Sequence, residues 1–356
     1  MNNTKFRQLQ TPCYVFSKSK IKESYERICL KMKGIQIYYS LKANAEIPVI
    51  QVLSSVGAKF EVASDGEFDR VLAAGVDPGD IICGLPVKKE YTIQNLYSKG
   101  CRYFVFDMIS EYKKICKFTK DVARVLRVYI NDLIPDSLEF GMPLQEIEEH
   151  ISNGILSQEN IEGISFHISN NVNIENFNLV WERIGYIFEI LNLNNSKTFI
   201  LNIGGGYRNY AEDDFFINLK EKMEDIKYKY PNIILIAEPG NTVVNEAGVL
   251  LSTVVGIRAR NGFFDIYMDA GKPTGLKTDN KRMPSYIEVI NKNKTDCLNK
   301  YRFIDLTCMH RPHFVYELPF TIEVDDVLEF GNMGAYSICL QSMFHVWPSP
   351  KIYIID

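Results

Sequence analysis

The chain has 356 residues, 40 of them Lys or Arg and 44 Asp or Glu, for a formal charge of -4. That balance is too mild to raise the positive field a nucleic-acid surface needs, so no nucleic-acid partner is expected. The polar first eleven residues lack the apolar core of a signal peptide, and the longest apolar stretch, near 247–257, is too short to span a bilayer; both point to a cytoplasmic protein without a membrane partner.

In chain order, a short apolar run at 13–16 is the first strand candidate. Between 35 and 240 eight runs rich in β-branched and aromatic residues follow, at 35–40, 59–63, 81–83, 103–107, 125–130, 161–167, 198–203 and 233–237. Most are separated by stretches such as 47–56, 67–74 and 177–191, in which apolar residues recur three or four apart, the spacing of an amphipathic helix. Eight strands alternating with helices predict an α/β protein built on a parallel (β/α)8 barrel, spanning 25–242. From 243 to 356 the pattern changes to alternating strand-like runs at 249–259, 264–268, 321–330 and 352–354, which predict an antiparallel β-domain of sandwich or barrel type. The strand at 13–16 is expected to join it, so that 1–24 belong with 243–356. The polar stretch 279–298 is read as an exposed excursion. The eight cysteines stand singly, with no CxxC pair and no histidine at ligand spacing, so neither a zinc site nor a disulfide framework is expected.

In such a barrel, chemistry-bearing groups come from the C-terminal ends of the strands, where the loops converge. Those ends carry Lys42 in YYSLKAN, Glu61 and Ser64 in FEVAS, Arg127 in VLRVY, His167 in SFH, Gly204, Gly205 and Gly206 in LNIGGGY, and Glu238 in AEPGN. The set meets the needs of pyridoxal 5'-phosphate. A lysine forms the Schiff base, glycines admit a phosphate to backbone N–H groups, a carboxylate keeps the pyridine nitrogen protonated, and a histidine can lie against the ring. Taken singly, each has a plainer explanation: a solvated lysine, a tight loop, a core histidine, a loop cap. Their joint placement on separate strand ends favours the cofactor.

These motifs resemble the fold-type III pyridoxal-phosphate decarboxylases, which act on ornithine, diaminopimelate, arginine and related amino acids. The likeness spans nearly the whole chain and implies an alanine-racemase-like TIM barrel. It implies Lys42, His167, Glu238 and Cys308 as catalytic residues, Cys308 of the Thr307–Cys308 pair handling the proton at Cα from across a homodimer with shared active sites. It implies further cofactor contacts from Glu61, Ser64, Arg127, Asn170, the glycine turn, Gly240, Asn241 and Tyr336, the last through its hydroxyl at the phosphate.

Three departures bear on function. Asn241 stands where the family has an arginine near the phosphate, and Ser169 and Asn170 replace a Gly-Ser pair after the histidine. Met309, followed by His310 and Arg311, stands where diamine-forming members carry an aspartate directly after the cysteine. A second diamine-binding aspartate aligns near Arg282. If Arg282, Met309, His310 and Arg311 line the substrate pocket, a distal ammonium is disfavoured and an anionic or conjugated α-amino acid favoured, as in siderophore, peptide-antibiotic or carrier-linked biosynthesis. The alternatives are a diamino acid decarboxylase, an amino acid racemase, against which Glu238 speaks, and a non-catalytic regulatory homologue.

Overall fold

A computed structural model describes residues 6, 8–134, 139–168, 173–206, 213–278, 283–308 and 314–356, with 213 and 214 described by their backbone alone. The chain forms two compact units, one of residues 25–242 and one of 1–24 with 243–356.

The first unit is a closed barrel of eight parallel strands. They are β2 (Gln36–Ser40), β3 (Lys59–Val62), β4 (Ile81–Cys83), β5 (Tyr103–Phe106), β6 (Ala123–Arg127), β7 (Gly163–Ser165), β8 (Phe199–Asn202) and β9 (Ile233–Ala237). Closure is made where β9 pairs with β2, Gln36 opposite Ile236 and Ile37 opposite Ala237. Every strand expected between 35 and 240 is present. Tyr38, Ile82, Tyr103, Val105, Val125 and Ile236, from five different strands, pack into one buried cluster, the filled centre that a barrel of this size requires.

Seven helices follow β2 to β8 in turn: α2 (Ile47–Ser54), α3 (Asp65–Ala73), α4 (Glu90–Ser98), α5 (Ile109–Phe118), α6 (Leu144–Ser152), α7 (Ile174–Ile190) and α8 (Asp213–Lys229). α7 shows why they form. Asn173 caps it by accepting from the Asn176 N–H at 2.7 Å, and Phe177, Val180, Trp181, Ile184, Ile187 and Phe188 recur on one face and are buried. Each such side chain contributes roughly 1.5–3 kcal/mol of burial. Between α4 and α5 the barrel holds a fully buried ion pair, Lys88 Nζ to Glu111 Oε1 at 3.0 Å. The lysine also donates to the carbonyls of Leu85 and Val105, so the buried charge is hydrogen-bonded on several sides.

The second unit contains β1 (Cys13–Ser17), followed by helix α1 (Lys18–Lys31), whose last seven residues belong to the barrel unit, and β10 (Gly248–Arg260) to β16 (Lys351–Ile355). Between them come β11 (Phe263–Met268), β12 (Ile287–Val289), β13 (Asn299–Asp305), β14 (Phe314–Leu318) and β15 (Val327–Phe330). The sheet order is β12-β15-β10-β11-β13-β14, and β1 pairs antiparallel with β10 and parallel with β16. β11 and β13 also run parallel, which the thirty residues between them permit.

Two local expectations are corrected. The stretch 279–298 is not wholly an excursion, because Ile287 and Val289 are buried in β12 against β15. The run 321–330 is a strand only from Val327, since Asp325 turns the chain at φ 69°. Strands β13 and β14 were not anticipated, although Tyr301, Phe303 and Asp305 alternate inward with period two. Among the described residues no helix is long and apolar enough to cross a membrane, and no cluster of His, Cys, Asp and Glu could hold a metal.

Candidate active site

Lys42 stands where β2 runs out. The chain passes from Ser40 into a single 3-10 turn, Leu41–Ala43, whose outer members are buried, leaving Lys42 exposed between them. The turn is tied to the exit of β9 by the Ser40 N–H, which donates to Pro239 O at 3.1 Å. Gly240 makes that approach possible: a Cβ there would lie 3.0 Å from the Ala43 Cβ and 3.2 Å from Ser40 O.

Around this turn the barrel assembles a compact set of charges. Ser40 Oγ donates to Glu61 Oε2 at 2.6 Å, and both residues are buried. Glu238, one residue past β9, accepts from Asn202 Nδ2 at 2.6 Å. Burial, with the nearby Glu61 carboxylate, pushes Glu238 up to about 7, against the pull of the Asn202 hydrogen bond and the positive charges of Lys42 and Arg127. Burial lowers the pKa of Arg127, whose guanidinium lies 5.6 Å from the Phe140 ring, while Glu238, Glu61 and Asp107 oppose that shift. His167 is held well below 6.5 by burial and by the charges of Lys42 and Arg127, so it is neutral at pH 7. Its Nδ1 accepts from the Gly205 N–H at 3.2 Å, which places its proton on Nε2.

The glycine turn is pressed between the exits of β7 and β9. Gly204 and Gly206 have φ of 67° and 101°, and Cβ atoms at 204, 205 and 206 would collide with the carbonyls of Phe166, Glu238 and Ile168 in turn. Two of its amides are already used, Gly204 N–H on Asn202 Oδ1 at 2.9 Å and Gly205 N–H on His167, so Gly206 is the member left to meet an anion.

The barrel thus brings together Lys42, Glu61, Arg127, His167, Gly204, Gly205, Gly206, Glu238 and Gly240. Ser64 Oγ accepts from the Glu67 N–H at 3.1 Å and caps α3. Asn241 opens one helical turn, Asn241–Val244. Asn170, Arg282, Met309, His310 and Arg311 lie outside the described residues. In the other unit Cys308 is exposed, with φ 61° and its Sγ 3.8 Å from Leu306 O, and it borders a cavity of about 420 Å³ with Arg260, Tyr267, Arg302 and Ile304. Tyr336, at φ 49°, ends the loop after β15.

Sequence reasoning missed Asn202 and Tyr103. The Asn202 amide joins Glu238, Gly204 N–H and, at 2.9 Å, the Tyr103 hydroxyl, whose pKa burial and then Glu238 raise well above 10. An asparagine as the last residue of a strand, directly before IGGG, was the available signal. Tyr103 reads from the sequence as core.

The residues present fit pyridoxal phosphate. A lysine, a neutral imidazole and a buried carboxyl meet at one barrel mouth, and two buried polar atoms there, Arg127 Nε and Ser165 Oγ, have no protein partner among the described residues.

Comparison with known proteins agrees. The family model described as "Pyridoxal-dependent decarboxylase, pyridoxal binding domain" matches residues 18–249. A probable ornithine decarboxylase of Dictyostelium discoideum is 23% identical, covering 93% of this chain and 76% of its own. The ornithine decarboxylase of Schizosaccharomyces pombe is 25% identical, covering 92% and 79%. In fold the chain is similar to the arginine decarboxylase of Paramecium bursaria Chlorella virus, with a TM-score of 0.87 at 22% identity over 99% of this chain and 98% of that one. It is also similar to the lysine/ornithine decarboxylase of Vibrio vulnificus, with a TM-score of 0.84 at 22% identity over 99% and 96%. With the family model covering most of the barrel and the site chemistry in place, the chain belongs to the pyridoxal-dependent decarboxylases and is an amino acid decarboxylase with pyridoxal phosphate as its cofactor.

Proposed function

We propose that this enzyme removes the α-carboxylate of an amino acid whose far end is anionic or built into a larger conjugate, with Lys42 holding the cofactor and Glu238 its ring nitrogen. Bound there, pyridoxal phosphate supplies an electron sink for the breaking Cα bond. Glu238 keeps a proton on the pyridine nitrogen, and the Asn202 amide fixes the carboxyl that does so. His167, neutral and steadied by Gly205, offers its flat face to the ring. Glu61 and Arg127 hold the charges around Lys42, whose amine moves protons once released. Cys308, delivered by the second subunit of a homodimer, returns a proton to Cα.

The meeting of Lys42 with a buried acid, rather than an arginine, at the ring-nitrogen position carries the decarboxylase chemistry over a racemase. The observation that carries the substrate class is Met309, with His310 and Arg311 after it, in the place where diamine-forming relatives put an aspartate. A diamino acid remains the second reading, because the relatives are named for ornithine, lysine and arginine.

Carbon dioxide release from ornithine, lysine, arginine, diaminopimelate, glutamate and conjugated diamino acids separates the two. The expected result is turnover of the anionic or conjugated compounds, and efficient turnover of free ornithine or lysine would overturn it. Mixing inactive Lys42→Ala chains with impaired Cys308→Ala chains tests the shared site: activity in the mixture should rise above that of either variant alone, and no rise would sink the exchange of Cys308 between subunits.

A further inference from the structure

One polar group inside the barrel is not used by this mechanism. Tyr103 opens β5 and belongs to the buried cluster at the barrel centre, beside the apolar Ile82, Val105, Val125 and Ile236. A phenylalanine would fill the same space, and a buried hydroxyl is costly unless it is hydrogen-bonded. The Tyr103 hydroxyl accepts from Asn202 Nδ2 at 2.9 Å, and the same amide nitrogen donates to Glu238 Oε1 at 2.6 Å.

The planar amide gives that contact its meaning. Asn202 Oδ1 accepts from the Gly204 N–H at 2.9 Å, which fixes which end of the amide faces Glu238. Its two N–H bonds diverge at a set angle in one plane, so holding one on Tyr103 sets the direction of the other. Without the phenol the amide is free to turn while keeping Gly204. Tyr103 adds no charge of its own: burial and then Glu238 hold its pKa well above 10, so it stays a neutral phenol at working pH.

We propose that Tyr103 is a positioning residue for the ring-nitrogen acid: by holding one N–H of Asn202 it keeps the other on Glu238 Oε1 and leaves the proton of the acid to Oε2. The inference rests on the assignment of Glu238 to the ring nitrogen. Glu61 of β3, Lys42 past β2 and Arg127 closing β6 also act on Glu238, and Tyr103→Phe keeps all three side chains.

The test reads the acid without cofactor. Full-length chains stripped of cofactor are titrated from about pH 5 to 9 and followed by the infrared absorbance of protonated carboxyl groups. The band that Glu238→Gln removes belongs to Glu238, and its midpoint is expected at about 7. Tyr103→Phe should move that midpoint up by about half a unit or more, since a poorly aimed donor no longer favours the carboxylate. Tyr38→Phe removes the other hydroxyl of the same cluster, on a ring 5.6 Å from Lys59 Nζ, and should move it by less than about 0.2 unit. In an Asn202→Ala chain, Tyr103→Phe should add no further shift, because its effect passes through that amide. An unmoved midpoint, an equal shift from Tyr38→Phe, or an undiminished shift in the Asn202→Ala chain would overturn the inference. Holoenzyme kcat separates the two levels: an unchanged kcat in Glu238→Gln sinks the assignment of Glu238. An unmoved midpoint in Tyr103→Phe beside a Glu238→Gln enzyme slowed about a hundredfold sinks only the role of Tyr103.

Discussion

The two units hold their candidate site residues by different means. In 25–242 each stands within a strand or a few residues past its end: Glu61 in β3, Arg127 closing β6, Lys42 and His167 two residues past β2 and β7, the glycine turn after β8 and Glu238 after β9. In 1–24 with 243–356 the candidates Cys308 and Tyr336 stand in loops, at φ of 61° and 49°. Non-glycine residues enter that left-handed region rarely, at a cost of about 1–2 kcal/mol each. A barrel supplies positions through its topology, whereas a mixed sheet must build each one from loop contacts.

The largest effect should come from the barrel. Lys42→Ala should lower kcat by about a thousandfold or more and abolish borohydride labelling by the cofactor; labelling that persists would move the attachment to another amine. Cys308→Ala should lower kcat by roughly ten- to a hundredfold while leaving the cofactor's visible band in place. A loss of the band would show that this loop also shapes the cofactor site.

Gly206→Ala should cost about 1–3 kcal/mol of stability, because its Cβ meets Ile168 O and its φ is 101°. Thermal unfolding reads this, and no change in Tm would mean that the turn yields to the added methyl.

A smaller effect concerns pH. Glu238, raised from 4.5 to about 7 in the fold, binds a proton there that the unfolded chain releases, so its contribution is full below pH 4.5 and is lost as pH rises through 7. His167, lowered from 6.5, contributes in the opposite sense: its share is full above pH 6.5 and is lost as pH falls. Glu238→Gln should flatten the fall in Tm of the cofactor-free protein between about pH 5 and 7 and leave the acid-side loss; an unchanged profile would place the titration elsewhere. Least of all, Asn332→Gly should shift stability by under about 0.5 kcal/mol, since glycine adopts its φ of 57° and the Lys277 ammonium donates to its backbone carbonyl. A larger loss would show that the Asn332 side chain itself holds the loop.

The barrel and its candidate site were legible because period and position coincide: eight β-branched runs, six of them with a candidate residue in or just past the strand. Lys42, Glu61, His167, Gly204 and Glu238 could be named from the sequence alone for that reason. The cap that Ser64 makes on α3 was not legible, because SDGE reads as a loop until the Glu67 N–H is brought onto the Ser64 hydroxyl. Asn202 and Tyr103 escaped because their importance lies in a shared hydrogen bond between strands far apart in the chain. β12 escaped because a three-residue strand carries little local signal, and β13 and β14 because charged residues interrupt their apolar runs, NKYRFID and FVYEL.

Amino acid order by itself determined the alternation of strand and helix, the eightfold count and the reactive groups at the strand ends, because these depend on local periodicity. Only the tertiary structure decided that Asn202 fixes Glu238, that two of the three turn amides are already engaged, and that the Tyr103 hydroxyl meets Asn202. Burial and hydrogen-bond partnership depend on what the rest of the chain brings alongside, and no window of sequence contains that.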